Sequence, residues 1–250
     1  AGDISVGAEA LTLSGTVAAG QNGALVNLSG NNTDAGDINI IGPVNISSEA
    51  GSMTLGAFSS TGDGIVVMGA GNTTIGGNLT LFTGAVRKEG TGVLALAGSN
   101  DFSGGAVRMD GSFEAASANA MGAAGTITFD GGVFRHGAGN AQDYSSRMVA
   151  GPGSFYRIAT SGQTVTYASA LAGSGNGLEK TGPGTLVLNA SNTFDGATSV
   201  LAGKLAINAE DRLGANPAAF NASQLLLDGG TLNSTATFTL GDANRGVTLG

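Results

Sequence analysis

The chain has 250 residues, with 45 Gly, 4 Pro, 10 Phe, 3 Tyr and neither Cys nor Trp. The lack of Cys removes disulfide, thiolate-metal and thiol-nucleophile chemistry. Gly and Pro stay below the share at which composition argues disorder, so the chain is expected to fold around a thin core of small aliphatic side chains. A net charge of −8 at pH 7 sets the average surface against the phosphate backbone of nucleic acid, which is therefore not an expected partner.

Residues 1–86 carry six acids and no Lys or Arg, whereas residues 87–250 hold all ten bases. The chain opens at Ala1 without Met, a basic segment or an apolar run, and reads as a processed or cut piece. Uncharged stretches such as 10–33 are broken by Gly, Asn, Gln, Ser and Thr, whose polar groups are costly in hydrocarbon, and no membrane span is read there. Gly2-Asp3-Ile4-Ser5-Val6 with Leu11-Thr12-Leu13 is echoed at Gly36-Asp37-Ile38-Asn39-Ile40 with Val44-Asn45-Ile46. A second echo is Gly71-Asn72-Thr73-Thr74-Ile75 with Leu79-Thr80-Leu81. This zone is therefore read with a repeat of 34–35 residues.

Short apolar clusters alternate with Thr, Ser or Asn and end at Gly, as at 45–47, 78–82, 126–129, 164–167 and 237–240. Those are period-two strand signals. Residues 114–124 are Ala-rich but interrupted by Asn119 and Gly122, and are expected to form a loop.

From residue 87 a longer unit occurs twice. Lys88, Gly90, Gly92, Leu94, Leu96, Asn100, Phe102, Gly111 and Phe113 return 92 positions later as Lys180, Gly182, Gly184, Leu186, Leu188, Asn192, Phe194, Gly203 and Leu205. After Met121-Gly122 and Leu213-Gly214 the second copy holds six extra residues. The register then resumes at an offset of 98, matching Phe129, Asp130, Gly131, Gly132 and Phe134 to Leu227, Asp228, Gly229, Gly230 and Leu232.

A strand of four or five residues cannot bury a core alone, so each repeat must lie on its neighbour. Apolar strands recur 19 residues apart, as from Leu94 to Phe113 and from Leu186 to Leu205. That spacing suits one rung of three short strands and predicts an all-β parallel β-helix, a β-solenoid, with Leu186 and Leu188 pointing inward. An antiparallel sandwich is the rival, but repeats of fixed period are not expected of it. The expected division is residues 1–86, acidic rungs; 87–179, the first long unit; and 180–250, the second, truncated, in one continuous solenoid.

The run from Leu178 through Lys180, Gly182, Pro183, Gly184, Thr185, Leu186 and Leu188 to Asn192, Phe194, Gly196, Thr198, Val200, Gly203 and Leu205 resembles the passenger-associated repeat of bacterial autotransporters. Lys88 to Phe113 is a weaker copy, with Val93 and Gly105 off the pattern. The Gly-Asp-Ile segments are similar to rungs of filamentous-haemagglutinin-type exoproteins. The resemblance implies a right-handed β-helical passenger on a Gram-negative surface, carried out by a C-terminal barrel not found in these residues. With Gly246-Val247-Thr248-Leu249 in mid-array, the chain is expected to be a window of a larger protein.

Chemistry-bearing motifs are sparse. His136 is the single histidine and reads as a loop residue; without a Gly-x-Ser-x-Gly elbow it does not build a serine hydrolase. Glu210-Asp211-Arg212 is the one adjacent acid pair and reads as a solvated turn, while Asp130 and Asp228 recur before Gly-Gly and read as turn residues. No calcium nonapeptide or phosphate-binding loop is complete. In Phe155-Tyr156-Arg157 the Phe is expected inward and the Tyr outward. Eight Asn-x-Ser/Thr sequons, among them Asn27 and Asn78, decide nothing about glycosylation.

The expected function is a non-enzymatic, exported adhesin or structural stalk at the cell surface. It has no catalytic, cofactor or metal residues, an unknown surface partner (protein or glycan), and scope for end-to-end or lateral self-association. A β-helical carbohydrate-active enzyme and a self-associating fibre subunit are the alternatives.

Overall fold

A computed structural model describes residues 3–17, 20–104 and 107–250. The chain forms two compact units, residues 1–127 and 128–250. Both are all-β stacks of parallel strands, a β-solenoid architecture with, among the described residues, two short 3-10 turns, Ser145–Arg147 and Glu210–Leu213.

In the first unit the strands follow one another in threes, one for each of three faces. The first face stacks Ser5–Val6, Asn31–Asp34, Ser52–Leu55, Asn72–Ile75, Val93–Leu96 and Ser112–Ala115. On the second lie Leu11–Leu13, Ile38–Ile40, Phe58–Ser59, Leu79–Phe82 and Asp101–Phe102, and on the third Leu25–Asn27, Val44–Ser48, Ile65–Met68, Val86–Lys88 and Val107–Met109. Alternation along each strand sends every second side chain inward. The inward rows Ile38, Phe58, Leu79 and Val44, Ile65, Val86 are fully buried. Leu94 lies on Phe113 in direct register, as the 19-residue spacing predicts.

The acidic zone needs a correction. Asn31 pairs with Ser52, Ser52 with Asn72, and Thr73 with Leu94, 20 or 21 residues per rung, and the first rung takes 27 or 28, from Leu11 to Ile38 and from Ser5 to Thr33; none takes 34–35. Each step of the 34–35-residue echo moves to a strand on a different face, because the local pattern of an inward-facing strand is the same on each. Glycines let the corners stack closely: a Cβ on Gly92 would lie 1.9 Å from the Gly71 carbonyl oxygen.

In the second unit one sheet holds Val133–His136, Phe155–Thr160, Gly177–Thr181, Thr198–Val200, Asn221–Leu227 and Arg245–Leu249, and another holds Thr164–Tyr167, Thr185–Leu188, Lys204–Ile207 and Thr231–Ser234. Leu186 sits on Leu205 and Leu188 on Ile207, all buried. Repeat-matched residues part company here: Leu232 pairs with Leu205, whereas Phe134, its counterpart in the first copy, pairs with Ile158 of the other sheet. Residues 137–147 leave the rung between these strands, and the buried Tyr144 fills the interior beside them. Residues 237–240, expected as a strand, are irregular; just beyond them the Gly241 and Asp242 N–H groups bond to the Glu210 carboxylate.

Candidate functional site: buried polar clamps and an outward polar ladder

The polar groups inside the solenoid are tied to its own backbone. Asn100 Oδ1 accepts the Leu79 N–H at 2.8 Å from the preceding rung, and Asn100 Nδ2 donates to the Ala120 carbonyl of the following rung at 2.7 Å. Asn192 repeats this with Leu171 N–H at 2.8 Å and the Arg212 carbonyl at 2.6 Å. An amide has a donor and an acceptor at its tip, so one buried Asn clamps three rungs.

Lys88 and Lys180 are also buried. The Lys180 ammonium donates to the carbonyls of Thr181, Gly182 and Ala202 at 2.6, 2.9 and 3.2 Å, using its three donors. Lys88 donates to Glu89 and to Gly90, the latter at 3.0 Å. Burial pushes both ammonium groups down to about 8. Recurrence at an offset of 92 inside apolar runs is the sequence signal for both the Lys and the Asn.

His136 lies in a strand and is fully buried; the loop expectation is corrected. Its hydrogen-bond partner is remote in sequence and its ring neighbours are near: Nε2 is 2.8 Å from the Tyr167 hydroxyl, Tyr144 stacks on the ring at 5.6 Å, and Phe134 meets it edge-on at 5.1 Å. Burial drives its pKa down to about 4, against smaller upward pulls from the Asn140 backbone and Asp143. A neutral imidazole in a ring cluster is a packing element without access to substrate.

Glu210 and Asp211 turn to different partners. The Glu210 carboxylate accepts the Gly241 and Asp242 N–H groups at 2.8 and 3.2 Å and lies 3.3 Å from Arg245 Nε. Arg245, almost fully buried, donates to the carbonyls of Leu213, Gly214 and Ala215 and to Asn216 Oδ1, pinning the base of the six-residue insertion. Asp211 is exposed and held by Ser191 and Arg212. The pair is therefore more than a solvated turn.

In Phe155-Tyr156-Arg157 the orientation is the reverse of that expected. Tyr156 is buried, accepting from Ala150 N–H and donating to the Ala172 carbonyl, while Phe155 is half-buried and Arg157 lies 3.4 Å from Glu179. The Tyr hydroxyl finds backbone partners inside that a Phe could not use. Asp228 is exposed and Asp130 half-buried. The Asn27 sequon is buried and the Asn78 sequon exposed. Among the described residues no three His, Cys, Asp or Glu group as a metal site, and no helix is long and apolar enough to cross a membrane.

Outside, the first unit presents rows of small polar side chains in register. Asn31, Ser52 and Asn72 form one row and Asn39, Ser59, Thr80 and Asp101 another.

The passenger-associated-transport-repeat family matches residues 86–107 and 178–207, the two segments that carry Lys88, Leu94, Asn100 and Lys180, Leu186, Asn192. These are autotransporter passenger repeats. An adhesin, the BmaC autotransporter of Brucella suis biovar 1 (strain 1330), is 37% identical over 106 residues, which is 41% of this chain and 3% of that protein. No solved structure matches the chain. In these two segments of the chain the Lys ammonium is held by backbone carbonyls, the Leu pair fills the core, and all three side chains are buried.

Proposed function

We propose that the chain is a surface-exposed, non-catalytic segment of an autotransporter adhesin, displayed outside the cell and tethered through a barrel elsewhere in the parent protein. The observation that carries this reading is the use of the polar interior. Asn100, Asn192, Lys88, Lys180 and Arg245 spend their hydrogen-bonding capacity on neighbouring rungs, and the adjacent acids Glu210 and Asp211 are engaged separately. Each unit is a ladder offering an outward surface in place of a reactive cleft. The similarity to an adhesin autotransporter supports the same role.

The test is a gain of function. The chain is fused to an autotransporter barrel and displayed on a non-adherent Gram-negative strain, and attachment to epithelial cells and matrix-coated wells is counted. Adherence above that of the barrel alone is expected. Surface display without any gain, or glycan turnover by the purified chain that disappears in Glu210→Gln and Asp211→Asn, would overturn the proposal.

A further inference from the structure

Among the described residues Phe82 is the one residue other than glycine with a positive φ, at 50°. A bulky side chain in that region costs backbone free energy that Gly or Asn would largely avoid. Burial does not compensate, because Phe82 is 52% exposed. The register shifts between Thr80 and Phe82, a bulge that re-aims the side chain, and a bulky residue held there half exposed points to a role for the ring outside the fold.

The register shows what surrounds it. Asn39, Ser59, Thr80 and Asp101 stand in one outward row on the second face of the first unit. Two residues beyond Asn39 comes Ile41, 59% exposed, and two beyond Thr80 comes Phe82. Successive strands are about 4.8 Å apart, so an amide and hydroxyl ladder runs along the stack beside apolar side chains. That combination suits a sugar polymer, whose C–H faces lie on an aromatic ring while its hydroxyls bond to the ladder. Charge narrows the class. Residues 1–86 contain no Lys or Arg, and the ladder ends on the exposed Asp101. Protonated amino groups are attracted by carboxylates and by the face of Phe82, and sulfated or carboxylated sugars are repelled.

We infer that Phe82, Ile41 and the Asn39, Ser59, Thr80, Asp101 row form a binding strip for an amino-sugar polysaccharide lying along the solenoid. This rests on the adhesin reading and names its ligand class.

The purified chain is titrated calorimetrically with a glucosamine hexamer, an N-acetylglucosamine hexamer, a heparin hexasaccharide and hexalysine, at slightly acidic pH. The glucosamine hexamer is expected to bind best and heparin not at all. Phe82→Asn, which tolerates the same backbone, should weaken binding about tenfold without lowering Tm, and Asp101→Asn should flatten its salt dependence. The inference fails if the glucosamine hexamer does not bind, if Phe82→Asn binds it unchanged, if Phe82→Asn melts lower than the parent, if heparin binds equally, or if hexalysine binds as tightly, which would indicate a basic peptide instead. Displayed adherence that survives Phe82→Asn removes the strip alone. Glucosamine binding without any displayed adherence removes the adhesin reading alone.

Discussion

The His136 imidazole and the Tyr167 hydroxyl, thirty-one residues apart in sequence, lie 2.8 Å from each other in the interior of the second unit. Both are completely buried, and burial lowers the His136 pKa from 6.5 to about 4. As pH falls from 6.5 towards 4 the unfolded chain takes up this proton and the folded one does not. The contribution is therefore complete above pH 6.5 and is lost on acidification, by about 2–3 kcal/mol near pH 4. Urea midpoints of the parent and His136→Gln at neutral pH and near pH 4.5 check this: the stability gap between them should narrow in acid.

Asn192 carries both halves of its clamp on one side chain. Asn192→Ala leaves the buried Leu171 N–H and the Arg212 carbonyl without that partner, at a cost of about 1–3 kcal/mol. Asn192→Asp keeps the acceptor and loses the donor, and should recover only part of that loss. Chemical denaturation of the three proteins at pH 7 measures the series.

Leu188 packs inward on Tyr167 and Ile207 in adjacent rungs. Leu188→Ala should destabilise by about 2–5 kcal/mol through lost burial and a residual cavity. Thr166→Ala, at an exposed position of the same sheet, is the control and should shift the midpoint little. Equal shifts would contradict the inward assignment.

Gly92 and Gly42 separate two reasons for glycine. A Cβ on Gly92 meets the Gly71 carbonyl oxygen at 1.9 Å, whereas Gly42 has φ 87° and open space around it. Gly92→Ala forces rungs apart and should cost about 3 kcal/mol or more. Gly42→Ala strains one residue and should cost about 1 kcal/mol. Thermal unfolding of both variants gives the comparison.

The sequence by itself determined the rung. Alternation of apolar with Ser, Thr and Asn marked the apolar inward rows, and the 19-residue return from Leu94 to Phe113 and from Leu186 to Leu205 gave what stacks on what in them, because a solenoid stacks like side chains at successive levels. It misled where one local pattern served several faces: the 34–35-residue echo joined strands that never pair. Only the tertiary structure decided that Phe134 and Leu232, matched in the repeat, lie in different sheets, that His136 and Tyr156 turn inward, and that the repeating Lys and Asn clamp carbonyls. The physical reason is common to all of these. Local periodicity determines that a segment is a strand and which side is apolar, but the sheet it joins depends on where the preceding turn delivers it. A polar side chain turns inward only when the backbone of other rungs supplies its hydrogen-bond partners.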